Sequence, residues 1–567
     1  MDLTSSHSGL AFGRDALLSG DPATAVGAFS RLVAEAPRDV EARYWLASAL
    51  LTAGDAQRAF AAMDDARIVH ALPIAAARGA DLARCRSDAA YGHMIADQFY
   101  GQNMVAMSGV VRAMALQAGD LNVNALLAYG LALQHQGRAE EASQIFRAAA
   151  ETHPAPQVDA FVIYPQMMCD DGDARHAAEA RNWAGRHAPA ISDGPLTNPD
   201  LAGRKLKIGY VAPAFATSQL KQFVAPLLEN HDPERVSVTL YAAKAETEQG
   251  WPAWIDVHPI GDLDDAAAAA LIRRDGIDIL ADCWGHTAGS RLPIFARRPA
   301  PVQVAWINFI QTTGLEQMDY VLHGASDAPS PTEGLFTEAV WPIGPVFNAF
   351  RPGAGRLPPA PTPALTTGQV TFGSFNHPAK LSDWVVDAWG AVLRGAPTSR
   401  LLLKYRYFDD PVLQRVTQAR FAARGVAPER IVFEGHSSGE AYFAAYRQVD
   451  LMFDSWPAPG STTTLDALSN GVPVLAKPTP TVGGDCVRSI LLAAGLPELI
   501  AESPEDFVAR ALDLTGDLDR LDALRARVRP GFDNGPCCDE AGFTRRIETA
   551  FAQMFEIWRA KRRAANG

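Results

Sequence analysis

The first 190 or so residues are rich in alanine and repeat themselves every 34 positions. Gly13, Gly20, Ala25, Phe29 and Pro37 fall at offsets 0, 7, 12, 16 and 24 of a first unit. Ala47, Gly54, Ala59 and Met63 take the first four offsets one period later, and Gly130, Gly137, Ala142, Phe146 and Pro154 restore the whole set. Small residues at offsets 0 and 12 let two antiparallel helices approach, and the large residue at offset 16 fills the space between neighbours. The glycine at offset 7 belongs near the turn that joins them. Such a chain stacks helix pairs into a solenoid, because a single pair cannot bury its apolar face alone.

That period and those residue types are the tetratricopeptide signature. Between Met63 and Leu121 the register lapses, although AAARGADLARCR and MVAMSGVVRAMALQAGD still read as helices, which points to a degenerate repeat or an inserted helix pair. Gly172, Ala177 and Ala184 mark a partial last repeat. Residues 1–190 are thus expected to be a helical repeat domain whose concave face holds a protein.

After the polar linker HAPAISDGPLTNPDLAGRK the grammar changes. KLKIGYVA, VSVTLYAA, IDILADC and PVQVAWI are short apolar runs separated by helical stretches. A second series, QVTFGSF, SRLLLKY, RIVFEGH, DLMFDSW and VPVLAKP, follows the Pro- and Gly-rich RPGAGRLPPAPTPALTTG. Strands that alternate with helices form parallel sheets. We therefore expect two Rossmann-like halves, over 200–355 and 366–563, with ligands beyond the carboxyl ends of the strands.

At 567 residues the chain is too long for one core. A formal net charge of -13 argues against a nucleic-acid partner, which favours a basic face. No apolar run reaches the length of a membrane span, and the first residues lack the basic and apolar regions of a signal peptide, so the cytoplasm is the expected compartment. The six cysteines have no zinc spacing and read as reduced thiols.

PGSTTTLDALSNGVPVLA, residues 459–476, follows a strand and opens a helix. The backbone N–H groups of Gly460, Ser461, Thr462 and Thr463 are then the open donors of a helix N-terminus, which attracts phosphate. A plain serine N-cap accounts for the same residues without any ligand. Asp466, in the first turns, suits the hydroxyls of a ribose.

Several stretches together resemble the O-GlcNAc transferase family, in which tetratricopeptide repeats precede a GT-B pair of Rossmann-like domains. They are GHTAGSRLPIFARRPAPVQVAW, MDYVL, FGSFNHPAKLS, GSTTTLDALSNGVPV, GLPELIAESPEDFVARA and the terminal GFTRRIETAFAQMFEIW. The resemblance implies an inverting glycosyltransferase that needs no metal and no resident cofactor, with a nucleotide sugar as co-substrate and Ser or Thr of a protein as acceptor. It implies that Gly460 to Thr463 hold the nucleotide diphosphate, that Asp466 contacts the ribose and that Lys380 neutralises the leaving phosphate. It places His377 against the nucleotide, His436 and Ser437 along the base, and His286, Thr287, Thr312, Thr313 and Gly314 on the sugar or acceptor side.

The chain also departs from that family. The histidine expected after the first catalytic strand is missing from IGYVAPAFATSQLKQF, and His231 follows a helix. Ile310 and Gln311 replace a Pro-Gly pair, and Cys486 stands where an arginine is expected. Two alternatives follow. One is a flagellin glycosyltransferase with a CMP-nonulosonic acid donor, and the other is a repeat scaffold with a degenerate transferase domain. Arg297 and Arg298 read as supports of the fold.

Overall fold

The computed structural model describes residues 3–35, 40–55, 58, 62, 75, 78–119, 122–169, 172–196, 198–201, 203–216, 218–245, 250–307, 310–324 and 334–566. Pro37, Ala59 and Met63 of the repeat pattern lie outside them. By contact density the chain forms two compact units. One comprises residues 1–165, 377–390 and 402–437, and the other comprises 166–376, 391–401 and 438–567.

The first unit carries the helical repeats, beginning with Leu3–Leu18, Pro22–Glu35 and Val40–Thr52. A further pair, Ala89–Gly101 and Val105–Gln117, occupies the stretch where the sequence register lapses, followed by Val123–Gln134 and Ala139–Thr152. The small residue at offset 0 meets the large one at offset 16. A Cβ on Gly13 would lie 2.6 Å from the Phe29 ring, and one on Gly130 would lie 2.4 Å from that of Phe146. The glycines at offset 7 form the turns, Gly20, Gly54 and Gly137 all at φ 81°, a left-handed conformation that side chains disfavour.

The second unit contains a seven-stranded parallel sheet in the order β3-β2-β1-β4-β5-β6-β7. Its strands are β1 (Leu206–Val211), β2 (Val236–Ala242), β3 (Asp256–Pro259), β4 (Ile279–Asp282), β5 (Val302–Ala305), β6 (Tyr320–His323) and β7 (Ala339–Pro342). Ile208, Leu240, Leu280 and Val304 are wholly buried, as strands covered on both faces require. Strand order reverses between β1 and β4, the place where doubly wound sheets bind ligands. His231, whose side chain is buried, ties two elements of this unit together. Its ring lies 2.9 Å from the Tyr210 hydroxyl of β1 and 3.0 Å from Glu548 on the helix Glu540–Asn566.

The five strands β8 (Thr371–Ser374), β9 (Arg400–Lys404), β10 (Ile431–Glu434), β11 (Leu451–Phe453) and β12 (Val474–Leu475) form a second sheet in the order β10-β9-β8-β11-β12. Among the described residues no helix is long and apolar enough to cross a membrane.

Candidate functional site

The loop after β11 turns on one buried carboxylate. Asp454 Oδ1 accepts hydrogen bonds from the backbone N–H of Ser455 (2.9 Å) and of Gly460 (2.6 Å), and from the Asn376 side chain (3.1 Å). Asn376 in turn accepts from the Thr463 hydroxyl at 2.9 Å. Gly460 sits so close to this group that a Cβ would fall 2.7 Å from Thr463 Oγ1 and 2.8 Å from Asp454 Oδ1. The helix Thr462–Ser469 begins directly after, and the side chain of Ser461 makes no capping hydrogen bond to it. A plain serine N-cap therefore does not account for this loop. Gly460→Ala is expected to destabilise this loop by about 1 to 3 kcal/mol, because either Asp454 or Thr463 must move; urea unfolding of the variant beside wild type checks it.

Asp466 lies in the same helix and is 6% exposed. One of its oxygens accepts from the Tyr442 hydroxyl at 3.1 Å, while the other, Oδ1, is buried and meets no hydrogen-bond partner among the described residues. Burial raises its pKa to about 7, the Tyr442 bond offsetting this only in part. A buried carboxylate oxygen of this kind is costly unless something donates to it.

In the first unit the short helical turn Pro378–Lys380 carries Lys380 at its end. The turn is closed by its own backbone, since the Lys380 N–H donates to the His377 carbonyl at 2.9 Å and the Leu381 N–H to the Pro378 carbonyl at 3.0 Å. His377 Nδ1 accepts from the Ala379 N–H at 2.9 Å. Burial, with the neighbouring His135 and Lys380, holds the His377 imidazole well below its usual range, so it is neutral. Ser437 and the exposed His436 follow β10; the His436 N–H donates to Asp409 at 3.3 Å, and the Ser437 hydroxyl oxygen is buried without a partner.

At the carboxyl ends of β4 and β5, beside the reversal of strand order, stand the residues expected on the sugar or acceptor side. The structure puts most of them in a buried network instead of on an open surface. His286 is 3% exposed, its Nε2 lies 2.7 Å from the Thr313 carbonyl, and burial drives its pKa down to about 3. Glu338 accepts from the Thr312 hydroxyl at 2.6 Å and from the Thr313 N–H at 2.8 Å, as well as from the Thr313 hydroxyl. Gly314, at φ 76°, passes so near the helix Gly172–His187 that a Cβ would lie 2.4 Å from the Ala180 carbonyl. Thr287, only partly buried, donates to the Trp284 carbonyl at 2.7 Å. The side chains that make these bonds hold the two loops in place.

Two of the substituted positions, Ile310 and Cys486, line one small cavity in the second unit, together with His323, Phe347, Asp485 and Ser489. Arg297 pairs with Asp193 at 3.0 Å and Arg298 with Asp319 at 2.8 Å, both as supports of the fold. Sequence reasoning missed Asp454, Tyr442, Asn376 and Glu338. The aspartate in FDSW is the one with a readable signal, an acidic residue directly after a buried strand.

Residues 10–73 match a tetratricopeptide repeat model. A lysine-to-methionine mutant of the Thermobaculum terrenum O-GlcNAc transferase superposes with a TM-score of 0.73 at 26% identity, covering 98% of this chain and 98% of that one. A probable UDP-N-acetylglucosamine–peptide N-acetylglucosaminyltransferase SPINDLY of Oryza sativa subsp. japonica is 33% identical over 374 residues, which are 63% of this chain and 40% of that protein. A UDP-N-acetylglucosamine–peptide N-acetylglucosaminyltransferase of Caenorhabditis elegans is 24% identical over 495 residues, 65% of this chain and 43% of that protein. The chain thus matches about two fifths of the length of these two relatives. The fold is a helical tetratricopeptide region followed by the two-sheet α/β GT-B class. With residues 194–342 and 362–542 matching the model of glycosyl transferase family 41, more than half of its length, the chain belongs to that family.

Proposed function

We propose that the protein is an inverting, metal-independent glycosyltransferase that moves a sugar from a nucleotide sugar to Ser or Thr of a protein held by its repeats. The acceptor hydroxyl attacks the anomeric carbon as the bond from sugar to phosphate breaks, and negative charge develops on the departing nucleotide. The N–H groups and hydroxyls from Gly460 to Thr463 receive the phosphates, Asp466 the ribose, and Lys380 the developing charge. His377 supports the turn that carries Lys380, and His436 and Ser437 are assigned to the base. The proton of the acceptor goes to the donor phosphate, since no side chain is assigned as base.

The buried, unpartnered oxygen of Asp466 carries this reading, because a nucleotide explains why the fold keeps it. UDP is the nucleotide we favour, since the relatives are named for UDP-N-acetylglucosamine. A thermal-shift panel of UDP, GDP and CMP tests the choice. Stabilisation by CMP alone would move the protein to a nonulosonic acid donor and a flagellin acceptor; stabilisation by none would leave a non-catalytic scaffold.

Asp466 adds a pH signature. Its carboxyl is protonated below about pH 7 and charged above, and ribose hydroxyls donate best to the charged form. Uridine affinity is expected to rise severalfold between about pH 6 and pH 8. Asp466→Asn should be weak and flat across that range, and the nucleoside avoids the titration of phosphate itself. A wild-type affinity that does not change with pH would remove Asp466 from the ribose.

A further inference from the structure

The three glycines at offset 7 share φ 81°, yet their surroundings differ. Among the described residues, a Cβ on Gly20 or Gly54 would meet nothing within 4 Å. A Cβ on Gly137 would lie 3.0 Å from the Pro378 carbonyl oxygen, 3.8 Å from that of Leu381 and 3.9 Å from the Ala379 Cα. The Pro378 oxygen is the one that accepts the Leu381 N–H and closes the turn ending in Lys380. One repeat turn therefore abuts the backbone of Pro378–Lys380.

A second set of contacts surrounds the same place. His135, two residues before Gly137, stacks on Tyr407 with centroids 4.6 Å apart and lies 5.1 Å from the His377 ring. The Tyr100 hydroxyl is 3.3 Å from His135 Nδ1, and Tyr405 packs on His377 at 4.7 Å. Burial lowers the pKa of His135 to about 4, so the ring packs here without adding charge near Lys380. Asp410 fastens the neighbouring helix, its Oδ2 accepting from the N–H groups of Ala106 (2.6 Å) and Met107 (3.0 Å).

We infer that the repeat turn at His135 to Gly137 is a positioning element for Lys380, so that the repeats set the rate of the chemical step as well as the choice of acceptor. This rests on the leaving-group role proposed for Lys380. The turn Pro378–Lys380 is only three residues long, and beyond its own backbone bonds Gly137 and His135 supply the surface it leans on. A displacement of a few tenths of an ångström at a charge stabiliser is enough to lower a rate, since about 1 Å can cost a hundredfold.

Matched substitutions in the full chain test it. Gly137→Ala, Gly20→Ala and Gly54→Ala carry the same backbone strain, and Gly137→Ala alone pushes on the Lys380 turn. Hydrogen exchange at the amides of Ala379 to Leu381 is expected to speed up roughly tenfold in Gly137→Ala and to stay unchanged in the other two. Release of UDP from UDP-N-acetylglucosamine without acceptor should fall about fivefold or more in kcat for Gly137→Ala, with KM unchanged, relative to Gly20→Ala. Equal exchange in the three variants would overturn the inference, and so would faster exchange with unchanged kcat. Lys380→Ala run alongside keeps the two ideas apart: full turnover there refutes the leaving-group role, whereas exchange still reports whether the turn is held.

Discussion

Lys380→Ala is expected to lower turnover roughly a hundredfold, with nucleotide affinity changed only severalfold. The asymmetry follows from when the charge appears. In the mechanism proposed above the phosphates of the bound sugar nucleotide already sit on helix N–H groups and hydroxyls, and one more cation adds modestly to that binding. As the glycosidic bond breaks, a further negative charge collects on the leaving oxygen, and a cation fixed beside it stabilises the transition state more than the ground state. A loss in kcat and kcat/KM together is the sign of such a group. Lys380→Arg should recover only part of the rate, because the planar guanidinium cannot replace a compact ammonium at the end of a three-residue turn. Steady-state release of nucleotide from the donor selected by the thermal-shift panel decides the matter, and turnover of Lys380→Ala within a few-fold of wild type would refute the assignment.

Asp410→Ala should unfold the first unit at markedly lower urea concentration, with a loss of roughly 2 to 4 kcal/mol. The carboxylate is wholly buried and serves two helix N-termini at once. Besides Ala106 and Met107 it accepts from Val412 at 2.8 Å and Leu413 at 3.3 Å, capping the helix Pro411–Ala422. Alanine leaves four donors without their carboxylate, and the two helices lose their shared cap. Asp410→Asn keeps one acceptor oxygen and should lose about half as much. Urea unfolding followed by circular dichroism compares the three proteins; a midpoint for Asp410→Ala equal to wild type would mean that water replaces the carboxylate at no cost.

Four strands of the first sheet and the five of the second were legible because buried parallel strands are unbroken apolar runs, as in KLKIGYVA or PVQVAWI, whereas β3, β6 and β7 were missed, each being four residues long and only partly buried. The repeats were legible for a similar reason, since close helix packing leaves a mark at fixed spacing, as Gly13 against Phe29 and Gly130 against Phe146 do. The Gly460 loop could be located in the sequence, but its choice between cap and ligand site could not be settled there, since that turns on whether the Ser461 hydroxyl is engaged. Contacts over long separations left no mark. Nothing near Asp410 in sequence points to Ala106, and nothing in the TTG run announces that Glu338 holds it. The alternating grammar of repeats and strands suggested a clean division near residue 190, whereas residues 1–165 share a compact unit with 377–390 and 402–437.

The position of Asp410 has a bearing on anyone who would redirect the enzyme by exchanging its recognition module. A graft joined near residue 190 would remove Ala106, Met107, His135 and Gly137, and with them part of what supports the segments 377–390 and 402–437 of the same compact unit. The workable junction lies upstream of Ala89, so that the helices from Leu3 to Thr52 can be replaced and the later ones travel with the transferase.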